Sequence, residues 1–205
     1  ERFGNASNAA TAYEHVLERD PTHELALLAL REIYTKRRAH KQLFDVLSAL
    51  STKSSSREEK HALALEMASL AMEWLDDPKR AVSILREVLS LDASDVQVID
   101  LLEKVGEREK DLGLVAEAIE YRVKMASDDA ERAQLLGRLG SLYGDRLSDW
   151  PRAVPALQEA VRLAPTNARA KRALRDGLIA MCDYDALDAY YRRSGEWEGL
   201  TQVLS

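Results

Sequence analysis

The sequence repeats itself at an offset of 72 residues, with no gap. Residues 77–91 read DPKRAVSILREVLSL, and residues 149–163 read DWPRAVPALQEAVRL. The same offset, applied once more towards the N-terminus, places Leu85 on Tyr13. A period of this length predicts a stacked array of units, each of which buries its apolar face against its neighbours.

Apolar residues recur at helical spacing along nearly the whole chain. One such stripe consists of Ala9, Tyr13, Val16 and Leu17, at positions i, i+4, i+7 and i+8. Strict alternation of apolar and polar residues is essentially absent, so we predict no strands. Short turns rich in Pro, Asp, Ser and Thr separate the stripes and indicate antiparallel hairpins. The predicted helices are 5–19, 23–37, 40–51, 57–75, 78–91, 95–109, 112–126, 129–147, 151–163, 167–181, 184–193 and 196–205.

Composition and charge exclude several classes of protein. The chain has 205 residues, of which 46% are hydrophobic and only 9 are Gly, as in an ordered, core-forming chain. Its net charge of −6 gives no electrostatic footprint for nucleic acid. No apolar run approaches the roughly 18 residues of a membrane span, and no signal peptide is visible. Cys182 is the single cysteine; we expect a partly buried, inert thiol and favour a cytoplasmic location.

Two sets of residues carry a family resemblance. The first set is Leu136, Leu139, Gly140 and Tyr143. It consists of a large apolar residue, a leucine followed by a small residue, and an aromatic residue. The second set comprises Ala153, Leu157, Ala160 and Pro165. These sets resemble helix A and helix B of the tetratricopeptide repeat (TPR), a hairpin of about 34 residues. The 72-residue period is then two TPR-like hairpins, one diverged: Arg31 stands where helix A is expected to carry a small residue.

The resemblance implies an all-α, right-handed α-solenoid of about five to six antiparallel helix–turn–helix hairpins. We expect a single TPR-like superhelical array over residues 1–205. Because the chain opens at Glu1 without a Met, and part-way through a hairpin, we expect it to be a fragment of a longer array or protein. Small residues such as Gly140 would let two helices approach, while a Leu or an aromatic residue fills the space between them.

No catalytic, cofactor-binding or metal-binding constellation stands out, so we predict a protein that is not an enzyme. Gly137, Gly140 and Gly144 are spaced along a helix, which indicates helix packing rather than a phosphate loop. None of the four histidines has the spacing of a metal ligand pair. Carboxylates cluster at helix starts, where the helix dipole stabilises them. The tryptophans, expected to anchor packing at hairpin ends, are Trp74, Trp150 and Trp197.

The resemblance also implies a concave face, lined by the A helices, that binds an extended peptide or a partner helix. By register, the candidate groove residues are Leu65, Met72, Gln97, Asp100, Lys104, Arg108, Gln134, Ser141, Arg169 and Arg172. The same face would include Leu25, Leu28, Gly137, Gly144 and Asp176. Its apolar early part and partly basic late part would suit a segment with an apolar anchor and an acidic end. The first-turn positions lack the Lys and Asn set of the TPR subfamily that clamps chaperone tails.

These features predict a non-catalytic protein–protein interaction scaffold. Two alternatives stay open. Uncapped array ends, including a helix at 197–204, would make the chain a self-association module. The chain would otherwise be the regulatory domain of a larger enzyme. Leu25 and Leu28 also have a second interpretation, since both would be exposed if a preceding hairpin were missing.

Overall fold

The computed structural model describes the backbone of residues 2–194 and the side chains of residues 7–192. Over that range the chain forms eleven α-helices and one π-helical turn, with no strand, which confirms the predicted all-α fold. The helices are α1 Arg2–Arg19, α2 Glu24–Arg37, α3 His40–Lys53, α4 Arg57–Glu73, α5 Pro78–Leu91, α6 Val96–Glu109, α7 Leu112–Met125, α8 Asp129–Ser141, α9 Trp150–Leu163, α10 Ala168–Ala180 and α11 Tyr184–Ser194, and the π-helical turn is Leu142–Arg146. The predicted helix at 196–205, with Trp197, lies outside the described residues.

The 72-residue period is visible in the helix boundaries. Helices α2, α6 and α10 begin at Glu24, Val96 and Ala168, each 72 residues after the last. The same offset relates the starts of α3, α7 and α11, those of α4 and α8, and those of α5 and α9. One period therefore contains four helices: α2 to α5 in the first copy and α6 to α9 in the second.

The helix caps follow the same period. Before α2, α6 and α10, the side chains of His23, Asp95 and Asn167 each accept a hydrogen bond from the backbone N–H three residues on, at 3.1–3.2 Å. Side-chain acceptors at such positions, here a carboxylate or amide oxygen or the Nδ1 of His23, satisfy N–H groups that have no partner within the helix. Asp77 and Asp149 cap α5 and α9 in the same way, directly before or near a proline in the first turn. The turn residues in the repeat are therefore explained by backbone hydrogen bonding.

The left-handed residues of the chain also recur at this offset. Arg38, Lys110 and Cys182 have φ values of 54°, 56° and 55°. Each ends a helix A, and the next residue donates a backbone hydrogen bond five residues back, at 2.8–3.0 Å. This is the Schellman arrangement, which normally takes glycine. Cys182, expected to be partly buried, is exposed because it occupies this turn.

The chain divides into two compact units, Glu1–Val105 and Gly106–Ser205. In the first unit, α1 packs on α2, α2 on α3, α3 on α4, and α4 on α5. In the second unit, α7 packs on α8, α8 on α9, α9 on α10, and α10 on α11. Each unit is thus built from helical hairpins that bury their apolar faces against neighbouring helices. A single array over residues 1–205 remains a prediction.

The seams between helices are built as the sequence predicted. Leu136, Leu139 and Tyr143 of helix A are buried, as are Ala153, Leu157 and Ala160 of helix B. Trp150, half-buried at the start of α9, lies against two glycines: a Cβ at Gly144 would be 2.4 Å, and one at Gly177 2.9 Å, from its ring. Gly144 of the π-helical turn and Gly177 of α10 therefore make room for the Trp150 ring of α9.

Three positions depart from the close packing of the other seams, and their neighbours explain why. Tyr13 and Val16, placed on a buried stripe, are 37% and 36% exposed, because α1 packs on α2 and no described helix covers its remaining face. Arg31, which replaces a small residue, lies half-exposed and its Nη2 donates a 2.6 Å hydrogen bond to Glu66 Oε2 of α4. An ion pair between two A helices here replaces close packing.

Candidate functional site

A groove in the second unit collects several of the predicted site residues. It lies between α8 and α10 and has a volume of about 590 Å³. The predicted residues that line it are Gln134, Gly137, Ser141 and Arg169. Sequence reasoning missed the others, which are Val115, Arg138, Leu142, Asp145, Arg146, Asn167 and Ala170. The A helices α8 and α10 supply most of this surface.

The groove is open where α8 carries Gly137. A Cβ built on Gly137 would meet nothing within 4 Å, whereas the same atom on Gly140 would overlap Leu157. A glycine at an open position lets a ligand approach the helix backbone closely. The floor of the groove is therefore the backbone of α8, with Gln134 and Ser141 one turn away on either side.

Most of the charged side chains around this floor are positive. Arg138, Arg146 and Arg169 line the groove together with a single acid, Asp145. Arg146 and Arg169 are exposed, and neither forms an ion pair within the described part of the chain. The lining therefore carries three cations against one anion, on a protein whose net charge is −6. Such a local excess attracts acidic segments.

The π-helical turn Leu142–Arg146 decides which side chains reach the groove. A π turn inserts one extra residue into the helix and rotates everything after it. Gly144, predicted to face the groove, instead packs on Trp150. Asp145 and Arg146 line the groove in its place. A π turn leaves no plain signal in the sequence. Extrapolation at regular α-helical spacing therefore assigned Gly144 to the groove wrongly.

The remaining predicted residues fall elsewhere. Leu65 and Met72 of α4 are half-buried, and neither lines a groove of the first unit. Gln97, Lys104 and Arg108 are exposed and Asp100 is half-buried along α6, whose last residues belong to the second unit. Arg172 is exposed on α10 but does not line the α8–α10 groove. Their part in binding remains a prediction.

A smaller groove in the first unit lies between α2 and α4. It is lined by Leu28, Arg31, Glu32, Thr35, Lys36 and Glu66 and has a volume of about 450 Å³. Leu25, on the same helix, is 72% exposed. The repeat equivalents of Leu25 are Gln97 and Arg169, and both are exposed as well. The exposure of Leu25 therefore belongs to its position on helix A and needs no missing hairpin.

In the second unit, a polar network joins α7, the π-helical turn and α9. Tyr143 donates a 2.6 Å hydrogen bond to Glu120 Oε1, and the Arg152 guanidinium lies 4.3 Å from the centre of the tyrosine ring. Burial, followed by the neighbouring Glu120, raises the pKa of Tyr143 to about 12. Arg152 also donates to Asp149 at 2.6 Å, and this bond lowers the pKa of the Asp149 carboxyl. The network ties the π-helical turn, which carries Asp145 and Arg146 of the groove, to α7 and α9.

Two further observations limit the chemistry of the described residues. They contain no group of three or more His, Cys, Asp or Glu side chains placed to hold a metal ion. None of the described helices combines the length and the apolar character that crossing a bilayer requires.

No protein-family model matches the chain, and no curated protein matches its sequence. Three solved structures show the range of its structural matches. A chain in the structure of Naa15/Naa10 bound to HypK-THB aligns with 98% of this chain and 31% of its own, at 16% identity and a TM-score of 0.53. YrrB, described as a TPR protein with an unusual peptide-binding site, aligns over 84% of both chains at 18% identity and a TM-score of 0.43. A TPR protein from Parabacteroides merdae aligns with 94% of this chain and 73% of its own, at 12% identity and a TM-score of 0.43.

The paired helices, the buried helix A and helix B residues and the match at a TM-score of 0.53 identify the fold as a TPR-like helical repeat. At these identities the likeness is one of fold. The function therefore has to be argued from the surfaces of this chain.

Proposed function

We propose that the chain is a non-catalytic protein–protein interaction scaffold whose second unit binds a peptide or a partner helix in the α8–α10 groove. The observation that carries the proposal is the open backbone at Gly137, flanked by three arginines. An open floor gives shape for a main chain or a small side chain, and the arginines supply charge. Gly137 has open space where a side chain would lie, and Arg146 and Arg169 form no ion pair within the described residues.

The partner segment is acidic. Arg146 and Arg169 have no ion-pair partner within the described residues, so pairing them with carboxylates adds favourable interactions without breaking existing ones. Asp145 is the sole acid in the lining and would set the position of the carboxylates along the groove. Gln134 and Ser141 offer donors and acceptors for the partner's backbone groups. Charge of this kind mainly sets specificity and the rate of association.

A peptide array tests this proposal. Fluorescently labelled short peptides of random sequence are screened by polarisation, and those that bind should be enriched in Asp and Glu. The double substitution Arg146→Glu/Arg169→Glu should weaken their binding by about tenfold or more. Arg132→Glu is the matched control, because Arg132 is an exposed arginine of α8 outside the groove.

Two outcomes would contradict the proposal. The first is a set of bound peptides with no enrichment in acidic residues. The second is equal loss of binding in the Arg132→Glu control and the groove variant.

The substitution Gly137→Leu tests the shape of the groove. It should block the groove sterically while leaving the fold intact, since the added side chain points into open space.

The exposed face of α1 favours a second candidate function, which is self-association. Tyr13 is 37% exposed, whereas its repeat equivalent Leu85 is fully buried under α4. An apolar helix face of this kind is a common site of association. Light scattering over a range of protein concentrations should show a mass increase that Tyr13→Asp abolishes. A monomer at every concentration would exclude this function.

A further inference from the structure

A second cavity, in the first unit, lies where α4 begins and α5 ends. Its volume is about 600 Å³. The apolar part of its lining consists of Ala64, Met67, Ile84, Val88 and Leu91. Charged residues from the first turn of α4 and from the turn before α6 form its rim. The cavity shares no residue with the α8–α10 groove.

The 72-residue repeat shows what is missing from this cavity. Ala64 corresponds to Leu136 of the second unit, and Ser51 corresponds to Val123. There, Leu136 is buried and packs with Val123 and Leu163. Leu91, the equivalent of Leu163, is instead 74% exposed. The first unit therefore has a methyl group on α4 where the second unit has a buried leucine.

The wall of the cavity that α5 supplies carries larger apolar side chains than the equivalent surface of α9 in the second unit. Ile84 and Val88 of α5 stand where the second unit has Ala156 and Ala160. Both are only half-buried, although Ala160 is completely covered. Apolar surface left in contact with water favours any ligand that covers it. An aliphatic side chain reaching over Ala64 would cover both residues.

Ion pairs define the rim of the cavity. Arg57 Nη2 lies 3.2 Å from Asp92 Oδ2, and His61 Nε2 contacts Asp95 Oδ2. These pairs join the start of α4 to the turn before α6. In the second unit the equivalents of Arg57 and Asp92 are Asp129 and Ala164, so the first of these pairs cannot form there. The rim is therefore a feature of the first unit.

The charge of the lining favours a cation. Four acids, Glu58, Glu87, Asp92 and Asp95, face two permanent cations, Arg57 and Lys60, so acidic side chains outnumber the permanent cations by two. We propose that this cavity binds an aliphatic side chain flanked by basic residues, in a segment of a partner protein. The cavity supplies the leucine-sized space, and the surplus carboxylates supply the attraction for Lys or Arg. The site is separate from the proposed groove, and its partner has the opposite charge.

Three blocked peptides test this site, with binding followed by amide chemical shifts of the 205-residue chain. Gly-Lys-Leu-Lys-Gly should cause saturable shifts near His61, Ala64 and Val88, with a Kd on the order of 1 mM. Gly-Lys-Ala-Lys-Gly tests the apolar contact, and Gly-Glu-Leu-Glu-Gly tests the charge. Both should bind at least about fivefold more weakly. Equal binding of all three peptides, or shifts confined to other parts of the chain, would overturn the proposal.

A cavity-filling variant provides the second arm. Ala64→Leu should abolish the shifts caused by the Lys-Leu-Lys peptide, because it introduces the side chain found at Leu136. If Leu is too large beside the α5 wall, Ala64→Leu/Ile84→Ala/Val88→Ala reproduces the set of the second unit, in which Leu136 is buried. Unchanged binding in the folded variant would exclude the cavity as the site. Arg146→Glu/Arg169→Glu should leave this binding unaffected, which separates it from the groove.

Discussion

Gly140 of α8 and Leu157 of α9 approach so closely that a Cβ at position 140 would lie 2.4 Å from Leu157 Cγ. Gly137, almost one turn earlier on the same helix, faces open space. One helix thus uses two glycines for different purposes. Gly140 allows the two helices of a hairpin to pack, and Gly137 leaves the groove accessible.

These two glycines give opposite predictions for the same substitution. Gly140→Ala should lower the free energy of unfolding by about 1–3 kcal/mol, because the added methyl group overlaps a fully buried leucine. Gly137→Ala should raise it by about 0.5–1 kcal/mol through helix propensity alone. Urea denaturation of both variants measures the difference. Equal effects of the two substitutions would contradict the assigned packing.

The left-handed helix ends predict a stabilising substitution. Lys110 has a φ of 56°, which costs free energy for any residue with a Cβ. Lys110→Gly should therefore stabilise the chain by about 0.5–1 kcal/mol. Lys104→Gly is the control, since Lys104 is exposed within α6 and should cost about 1 kcal/mol there. Thermal melts would count against the assigned backbone if Lys110→Gly were as destabilising as its control.

The repeat also identifies a missing helix cap. Asp111 caps α7 and Asp183 caps α11 through side-chain hydrogen bonds, but the equivalent residue before α3 is Ala39, which makes none. Ala39→Asp should add this bond and stabilise the chain by about 1 kcal/mol. Ala39→Leu serves as the control, because it offers no acceptor. The prediction fails if chemical denaturation finds the two variants equally stable.

Two buried tyrosines make stability dependent on high pH. Burial and a carboxylate neighbour, Glu14 for Tyr34 and Glu120 for Tyr143, raise each pKa from 10.0 to about 12. Because the folded state holds the proton more tightly, the stabilisation is complete below pH 10 and is lost as pH rises to about 12. Each tyrosine contributes at most roughly 2–3 kcal/mol to this loss.

Tyr143→Phe isolates one of these contributions. At neutral pH the variant should be less stable by about 1 kcal/mol, because the hydrogen bond to Glu120 is lost. The difference in unfolding free energy between the parent chain and the variant should narrow between pH 10 and about 12. Ionisation of Tyr143 destabilises the parent chain, whereas phenylalanine does not ionise. Denaturation across this pH range, with tyrosinate absorbance to follow ionisation, measures both effects. A gap independent of pH would contradict the raised pKa.

The fold was predictable because the signal for it is repeated. The 72-residue offset, the helical spacing and the prolines and capping residues at helix starts all indicate the same hairpins, and the helix starts recur as expected. The small residues in the seams, such as Gly140, follow from the close approach of two helices. Burial was misjudged for Tyr13, on a helix that lacks a covering neighbour, and for Cys182, which occupies a left-handed turn.

The site was predictable only in part, because register along a helix assumes regular geometry. Helical register placed Gln134 and Arg169 on the face that lines the α8–α10 groove, but at the π-helical turn Asp145 lines the groove and Gly144 packs on Trp150. The first-unit cavity depends on an absent side chain at Ala64, and a smaller residue in one repeat has no meaning until the packing around it is known. Sequence periodicity therefore predicts the positions of helices better than it predicts which residues line a groove or a cavity.

The most direct test of the scaffold role is the location of a bound acidic peptide. Hydrogen–deuterium exchange of the whole chain, with and without a peptide selected on the array, reports which backbone amides become protected. We predict added protection in α8 and α10 around Gly137 and Arg169, and none in the Gly137→Leu variant. Protection confined to α9 and α11, with α8 unchanged, would contradict the proposal that the α8–α10 groove holds the partner.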